Sequence, residues 1–131
     1  MFRNSIPGEL SKLKNLRALN FSNNLLTGSI PDEIEAMENL LYFQIFTNKL
    51  SGFIPMWIGN IISLTYFEAD NNTLSGEILC SNLTLLNLAS NGFFGTIPPE
   101  FGELNNLQEL IVPGNNLYGE IPTSVRQSTS M

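Results

Sequence analysis

The sequence predicts an α/β-type solenoid of about five 24-residue coils, with a parallel β-sheet on the concave face and irregular or 3-10 returns on the convex face. Three observations carry this reading. Ile30, Ile54 and Ile78 follow Ile6 at steps of 24, Ile97 follows after 19, and Ile121 after 24 again. Asn24, Asn48, Asn72, Asn91 and Asn115 keep the same rhythm, as do Gly28, Gly52, Gly76, Gly95 and Gly119. Between them, apolar residues stand three, three and two apart, as in Leu13-Leu16-Leu19-Phe21, Met37-Leu40-Phe43-Ile45, Ile61-Leu64-Phe67-Ala69 and Leu104-Leu107-Leu110-Val112. One unit of this length cannot bury its own apolar face, so each coil must be stabilised by its neighbours.

Each part of the unit has a physical task. The x-L-x-L-x segment reads as a short strand, its alternate residues pointing inward, stacked in parallel on the next coil. The asparagine turns the chain inward, and its amide can satisfy backbone groups that a buried turn would leave unpaired. Leu26, Leu50, Leu74, Phe93 or Leu117 then fills the core. Glycine permits a backbone angle that a side chain opposes. Ile-Pro opens the convex return, where a residue without an N–H suits an edge or turn. The expected boundaries are 6–29, 30–53, 54–77, a shortened unit 78–96, and 97–120, followed by a frayed tail at 121–131.

The shortened unit has lost five residues from its convex side. Ile54 to Ile61 spans seven positions, whereas Ile78 to Cys80 spans two. Cys80, the only cysteine, takes the slot held elsewhere by Leu13, Met37, Ile61 and Leu104, and reads as a small buried hydrophobe. The convex side near residues 76–83 is expected to be irregular, pinched or with Ile78 displaced, with the strand at 85–89 still in register.

Composition excludes several classes of function. A net charge of −6 and six scattered basic residues argue against a phosphate backbone as partner. Histidine is absent, which removes the commonest general base and metal ligand. A single cysteine excludes an internal disulfide and a multi-cysteine zinc site. No apolar run is long enough to span a membrane, and the N-terminus has no secretory pattern. "PDEIEAME" gathers Asp32, Glu33, Glu35 and Glu38, but without the glycine-centred spacing of a calcium loop it reads as a solvated face. No catalytic residue, metal site or cofactor is expected.

"LSKLKNLRALNFSNNLLTGSIP" and "FGELNNLQELIVPGNNLYGEIP" follow L-x-x-L-x-x-L-x-L-x-x-N-x-L-x-G-x-I-P almost throughout, the plant form of the leucine-rich repeat. Over residues 5–125 the chain resembles the ectodomains of plant leucine-rich-repeat receptor-like kinases. "SLTYFEADNN", "CSNLTLLNLASNGF" and "NLQELIV" are most similar to relatives of the receptors for small peptide hormones of vascular development. The resemblance implies a glycoprotein on the extracellular face of the plasma membrane, with a peptide ligand or co-receptor ectodomain as partner. The chain departs from it in lacking paired-cysteine caps, a transmembrane helix and every kinase signature. The expectation is therefore a non-catalytic piece of such a receptor. A secreted enzyme inhibitor built from the same repeat, or a truncated fragment without independent function, are the alternatives.

A solenoid usually binds on its concave strands. The outward residues there are Ala18, Asn20 and Ser22; Tyr42, Gln44 and Phe46; Tyr66, Glu68 and Asp70; Leu85, Asn87 and Ala89; and Glu109, Ile111 and Pro113. Tyr42, Phe46 and Tyr66 place three aromatics on a wet face beside Glu68 and Asp70, whose acids could pair with a basic side chain or terminus of a peptide. Tyr42, Gln44, Phe46, Tyr66, Glu68, Asp70, Asn87 and Glu109 are the candidate contact residues. Five strands about 4.7 Å apart make this face only about 20–25 Å long, room for a short peptide segment. Asn20, Asn71 and Asn82 begin N-x-S/T sequons, which are glycosylation sites if the chain is secreted.

Overall fold

The computed structural model describes residues 1–78 and 83–128. In chain order its strands are β1 (Arg3–Asn4), β2 (Ala18–Asn20), β3 (Leu25–Gly28), β4 (Tyr42–Gln44), β5 (Lys49–Phe53), β6 (Tyr66–Glu68), β7 (Thr73–Gly76), β8 (Leu85–Asn87), β9 (Gly92–Gly95), β10 (Glu109–Ile111) and β11 (Asn116–Leu117). The even-numbered strands form the expected concave sheet, parallel throughout, in the order β10-β8-β6-β4-β2. Its register follows the repeat: Phe43 lies opposite Phe67 and Phe67 opposite Leu86. The 19-residue step is therefore absorbed without a slip, and β8 pairs with β10 in turn, Leu86 opposite Leu110.

The odd-numbered strands add a second parallel sheet, β1-β3-β5-β7-β9-β11, which the repeat pattern did not announce. It runs through the L-x-G segments. Each glycine there has φ between +78° and +96°, a conformation that L side chains resist. The convex returns are 3-10 helices at Gly8–Lys12, Asp32–Ala36, Met56–Gly59 and Pro99–Glu103. Each is preceded by a proline in extended conformation, which a ring-fixed φ favours.

The asparagines form a continuous ladder. Asn48, Asn72, Asn91 and Asn115 each donate from Nδ2 to a carbonyl of the preceding coil and accept a backbone N–H from that coil at Oδ1. Thus Asn72 donates to Ile45 O (3.0 Å) and accepts from Leu50 N (2.9 Å). Asn91 does the same across the short unit, with Ala69 O (3.0 Å) and Leu74 N (3.0 Å). The residue before each ladder asparagine is left-handed: Asn23, Thr47, Asn71, Ser90 and Gly114, with φ between +53° and +72°. Asparagine and glycine tolerate this conformation, but β-branched Thr47 at φ +54° does not. Thr47→Asn is expected to raise the unfolding free energy by about 1 kcal/mol, read as a higher urea midpoint with unchanged slope. No gain would show that Thr47 is unstrained.

The core is one layer of inward side chains between the two sheets and the helices. Phe43, Phe67, Leu50, Leu74, Ile34, Met37 and Phe93 are fully buried in it, with Phe43 stacked on Phe67 at 5.5 Å between ring centroids. Two expectations need correction. Leu13 holds a core slot in the repeat but is 48% exposed, because it lies on the outer face of the first coil. Of the tail expected to fray at 121–131, Thr123–Ser128 is instead an α-helix, α1, packed against the Pro99–Glu103 helix with Val125 buried. On either side of the shortening, Ile78 and Leu83 are both buried. Of the stretch 76–83 expected to be irregular, Gly76 closes β7, while residues 79–82, with Cys80 and the Asn82 sequon, lie outside the described residues.

Candidate functional site

Strand alternation sends Leu19, Phe43, Phe67 and Leu86 into the core and their neighbours outward, so the concave face presents rows running across the coils. The first row is Ala18, Tyr42, Tyr66, Leu85 and Glu109, aligned by strand register. Within it the Tyr42 and Tyr66 rings stack, with centroids 5.0 Å apart and planes 20° from parallel. Tyr42 remains 42% exposed, so the stack forms a flat aromatic surface open to solvent.

The second row is a hydrogen-bonded amide ladder. Asn20 Nδ2 donates to Gln44 Oε1 (3.1 Å), and Gln44 Nε2 donates to Glu68 Oε1 (2.8 Å). Its direction is set by the backbone: Asn20 Oδ1 accepts the Ser22 N–H (3.0 Å), which leaves the Asn20 amine to face Gln44. From the other side Asn87 Oδ1 accepts the Ala89 N–H (3.1 Å), so its amine donates to Asp70 Oδ1 (3.0 Å). Asn71 Nδ2 donates to Asp70 Oδ2 (2.8 Å). Neutral donors thus converge on the two carboxylates from both flanks.

The structure therefore brings six of the eight candidates together: Tyr42, Gln44, Tyr66, Glu68, Asp70 and Asn87. Phe46 is half-buried just beyond β4, and the next residue, Thr47, donates its N–H to Asp70 O (2.9 Å). Glu109 lies apart on the edge strand β10. Of the sequon asparagines, Asn20 sits exposed on edge strand β2 and Asn71 is exposed at its left-handed turn. The arrangement offers a stacking surface, an amide ladder and carboxylates, which suit recognition. Among the described residues no group of three His, Cys, Asp or Glu side chains could hold a metal ion, and no helix is long and apolar enough to cross a membrane.

A second feature lies away from the concave strands. Phe53, Met56 and Phe94 are 70%, 80% and 48% exposed and, with Ile54, Gly76 and Glu77, line a groove of about 400 Å³ beside the second sheet. The Phe53 ring packs over Gly76, in the space a β-carbon would take. The sequence did carry a trace of it, since Phe53 stands where the preceding coil has Ser29, and Phe94 where others have Thr27, Ser51 and Ser75.

The leucine-rich-repeat family model matches residues 15–37 and 82–104. Receptor-like protein 41 of Arabidopsis thaliana is 41% identical over 51 residues, which are 38% of this chain and 6% of that protein. The ectodomain of the Arabidopsis receptor kinase SOBIR1 superposes with a TM-score of 0.81 at 31% identity, over 90% of this chain and 67% of that one. The Arabidopsis receptor kinase HAESA, solved in complex with the peptide hormone IDA and the co-receptor SERK1, superposes with a TM-score of 0.90 at 33% identity, over 98% of this chain and 22% of that one. The chain thus spans a small part of the length of most of these relatives.

Proposed function

Because this chain belongs to the leucine-rich-repeat family of plant receptor ectodomains, we propose that it is a non-catalytic recognition module that takes a peptide ligand or a co-receptor ectodomain on its concave face. The observation that carries this reading is the solvent-open Tyr42–Tyr66 stack beside Glu68 and Asp70. Exposed aromatic side chains flanked by polar groups are the usual anchors of protein interfaces. The surrounding amide ladder holds the polar side chains in fixed positions, so little side-chain entropy remains to be lost on binding. The 131 residues act as one recognition unit, with Gln44, Phe46, Asn87 and Glu109 at the margins of the contact. We place it on the extracellular face of the plasma membrane, in keeping with relatives that are receptor ectodomains.

Selection of a displayed 12-residue peptide library on the immobilised chain tests the reading. Enriched peptides are expected to lose at least tenfold in affinity for a Tyr42→Ala, Phe46→Ala, Tyr66→Ala variant whose melting and circular dichroism still show a folded solenoid. Wild-type affinity in that variant would move the site elsewhere, the groove at Phe53 and Phe94 being the next place to look. Secretion makes a separate prediction. Protein expressed in plant cells behind a secretory leader is expected to carry glycan at Asn71, and mass spectrometry showing all three sequons bare would remove that support.

A further inference from the structure

We infer that the concave face selects an arginine-bearing extended peptide, the guanidinium lying on the Tyr42–Tyr66 stack and pairing with Glu68. This rests on the concave face being the recognition surface and adds the chemistry it recognises.

The outward positions of the five concave strands hold Glu68, Asp70 and Glu109 and no lysine or arginine. The face is therefore of one sign, and complementarity asks for a positive partner. Among the described residues, the side chains that donate to Glu68 and Asp70 are neutral amides. Asn20 and Gln44 pass their donors one way towards Glu68, and Asn87 and Asn71 pass theirs to Asp70. Of the two Glu68 oxygens, only Oε1 takes a donor among the described residues, which leaves Oε2 for a partner's N–H.

Geometry favours arginine over lysine. Tyr66 and Glu68 are both outward on β6, two residues apart, and so roughly 6.6 Å from each other along the strand. A planar guanidinium stacked on the tyrosine pair presents its N–H edge towards that carboxylate, joining a cation–π contact to a charge-assisted hydrogen bond. An ammonium group is a compact, strongly hydrated point charge that cannot stack and fork together.

The same peptide selection decides the matter. Enriched peptides are resynthesised with the arginine replaced by lysine or by its neutral isostere citrulline, and measured by calorimetry against wild type, Glu68→Gln and, as a convex-side control, Glu33→Gln. The expected result is arginine enrichment, an affinity at least tenfold lower for citrulline and at least threefold lower for lysine. Glu68→Gln should then bind the arginine and citrulline peptides within about threefold of each other, while Glu33→Gln behaves as wild type. Enriched peptides that lack arginine yet depend on Tyr42 and Tyr66 would overturn the inference and leave concave recognition standing. Equal binding of lysine and arginine peptides, or indifference to Glu68→Gln, would also overturn it. Failure to enrich any peptide would overturn the inference together with the peptide-ligand half of the proposed function.

Discussion

Asn72→Ala is expected to lower the unfolding free energy by about 3 kcal/mol, the sum of a lost amide and the backbone groups it leaves buried without partners. Asn72 donates to Ile45 O at 3.0 Å and Ala69 O at 3.1 Å, leans on Asp70 O at 3.3 Å, and accepts the Leu50 N–H at 2.9 Å. Alanine satisfies none of these, and the turn is too enclosed for water to replace all four. Asn24→Ala provides the internal comparison. Its Nδ2 donates only within its own turn, to Phe21 O and Ser22 O, and its Oδ1 accepts the exposed Phe2 N–H. Its loss should cost about 1 kcal/mol, the ordinary value for an accessible hydrogen bond. Urea titrations of both variants measure the difference, and equal costs would show that the ladder stabilises each turn locally rather than binding coil to coil.

Why this much of the fold could be read from the sequence follows from what repeats. A solenoid states the same local problem five times, so the inward apolar spacing and the ladder asparagines identify the concave strands without any long-range information. The short unit shows how local the rule is. β6 and β8 need only their own three residues to pair, and Asn91 needs only its own amide to reach Ala69, so a deletion confined to the convex side leaves the concave register untouched.

What stayed hidden has physical reasons too. The second sheet is made by backbone groups around L-x-G, where glycine removes the alternation that betrays a strand. Leu13 obeys the repeat but lies on an outer coil face, and burial depends on the neighbour rather than on the slot. Helix α1 follows the last full repeat, where periodicity no longer informs. At the candidate site, the sequence identifies which side chains face outward. It does not reveal that Tyr42 and Tyr66 stack, or that the Ser22 and Ala89 N–H groups orient two amides, Asn20 towards Gln44 and Asn87 towards Asp70.

Phe67→Ala should be the most damaging single substitution, costing about 4 kcal/mol in line with large-to-small changes at fully buried aromatic positions. Phe67 has no exposed surface, stacks on Phe43 at 5.5 Å, and lies on β6, the middle strand of the concave sheet. Its place in the array should show in the form of the transition. Stability in a solenoid is the sum of coil and nearest-neighbour terms, so a cavity at the centre weakens both interfaces of one coil and uncouples the halves. Leu19→Ala, a buried position on the edge strand β2, weakens a single interface and should cost about 2.5 kcal/mol, at the lower end for a buried leucine. Calorimetry is expected to show one cooperative melt for Leu19→Ala, and a broadened or two-step melt for Phe67→Ala as the two flanks of the array unfold separately. A single sharp transition for Phe67→Ala, shifted no further than that of Leu19→Ala, would mean that the aromatic pair is not what joins the coils on either side of it.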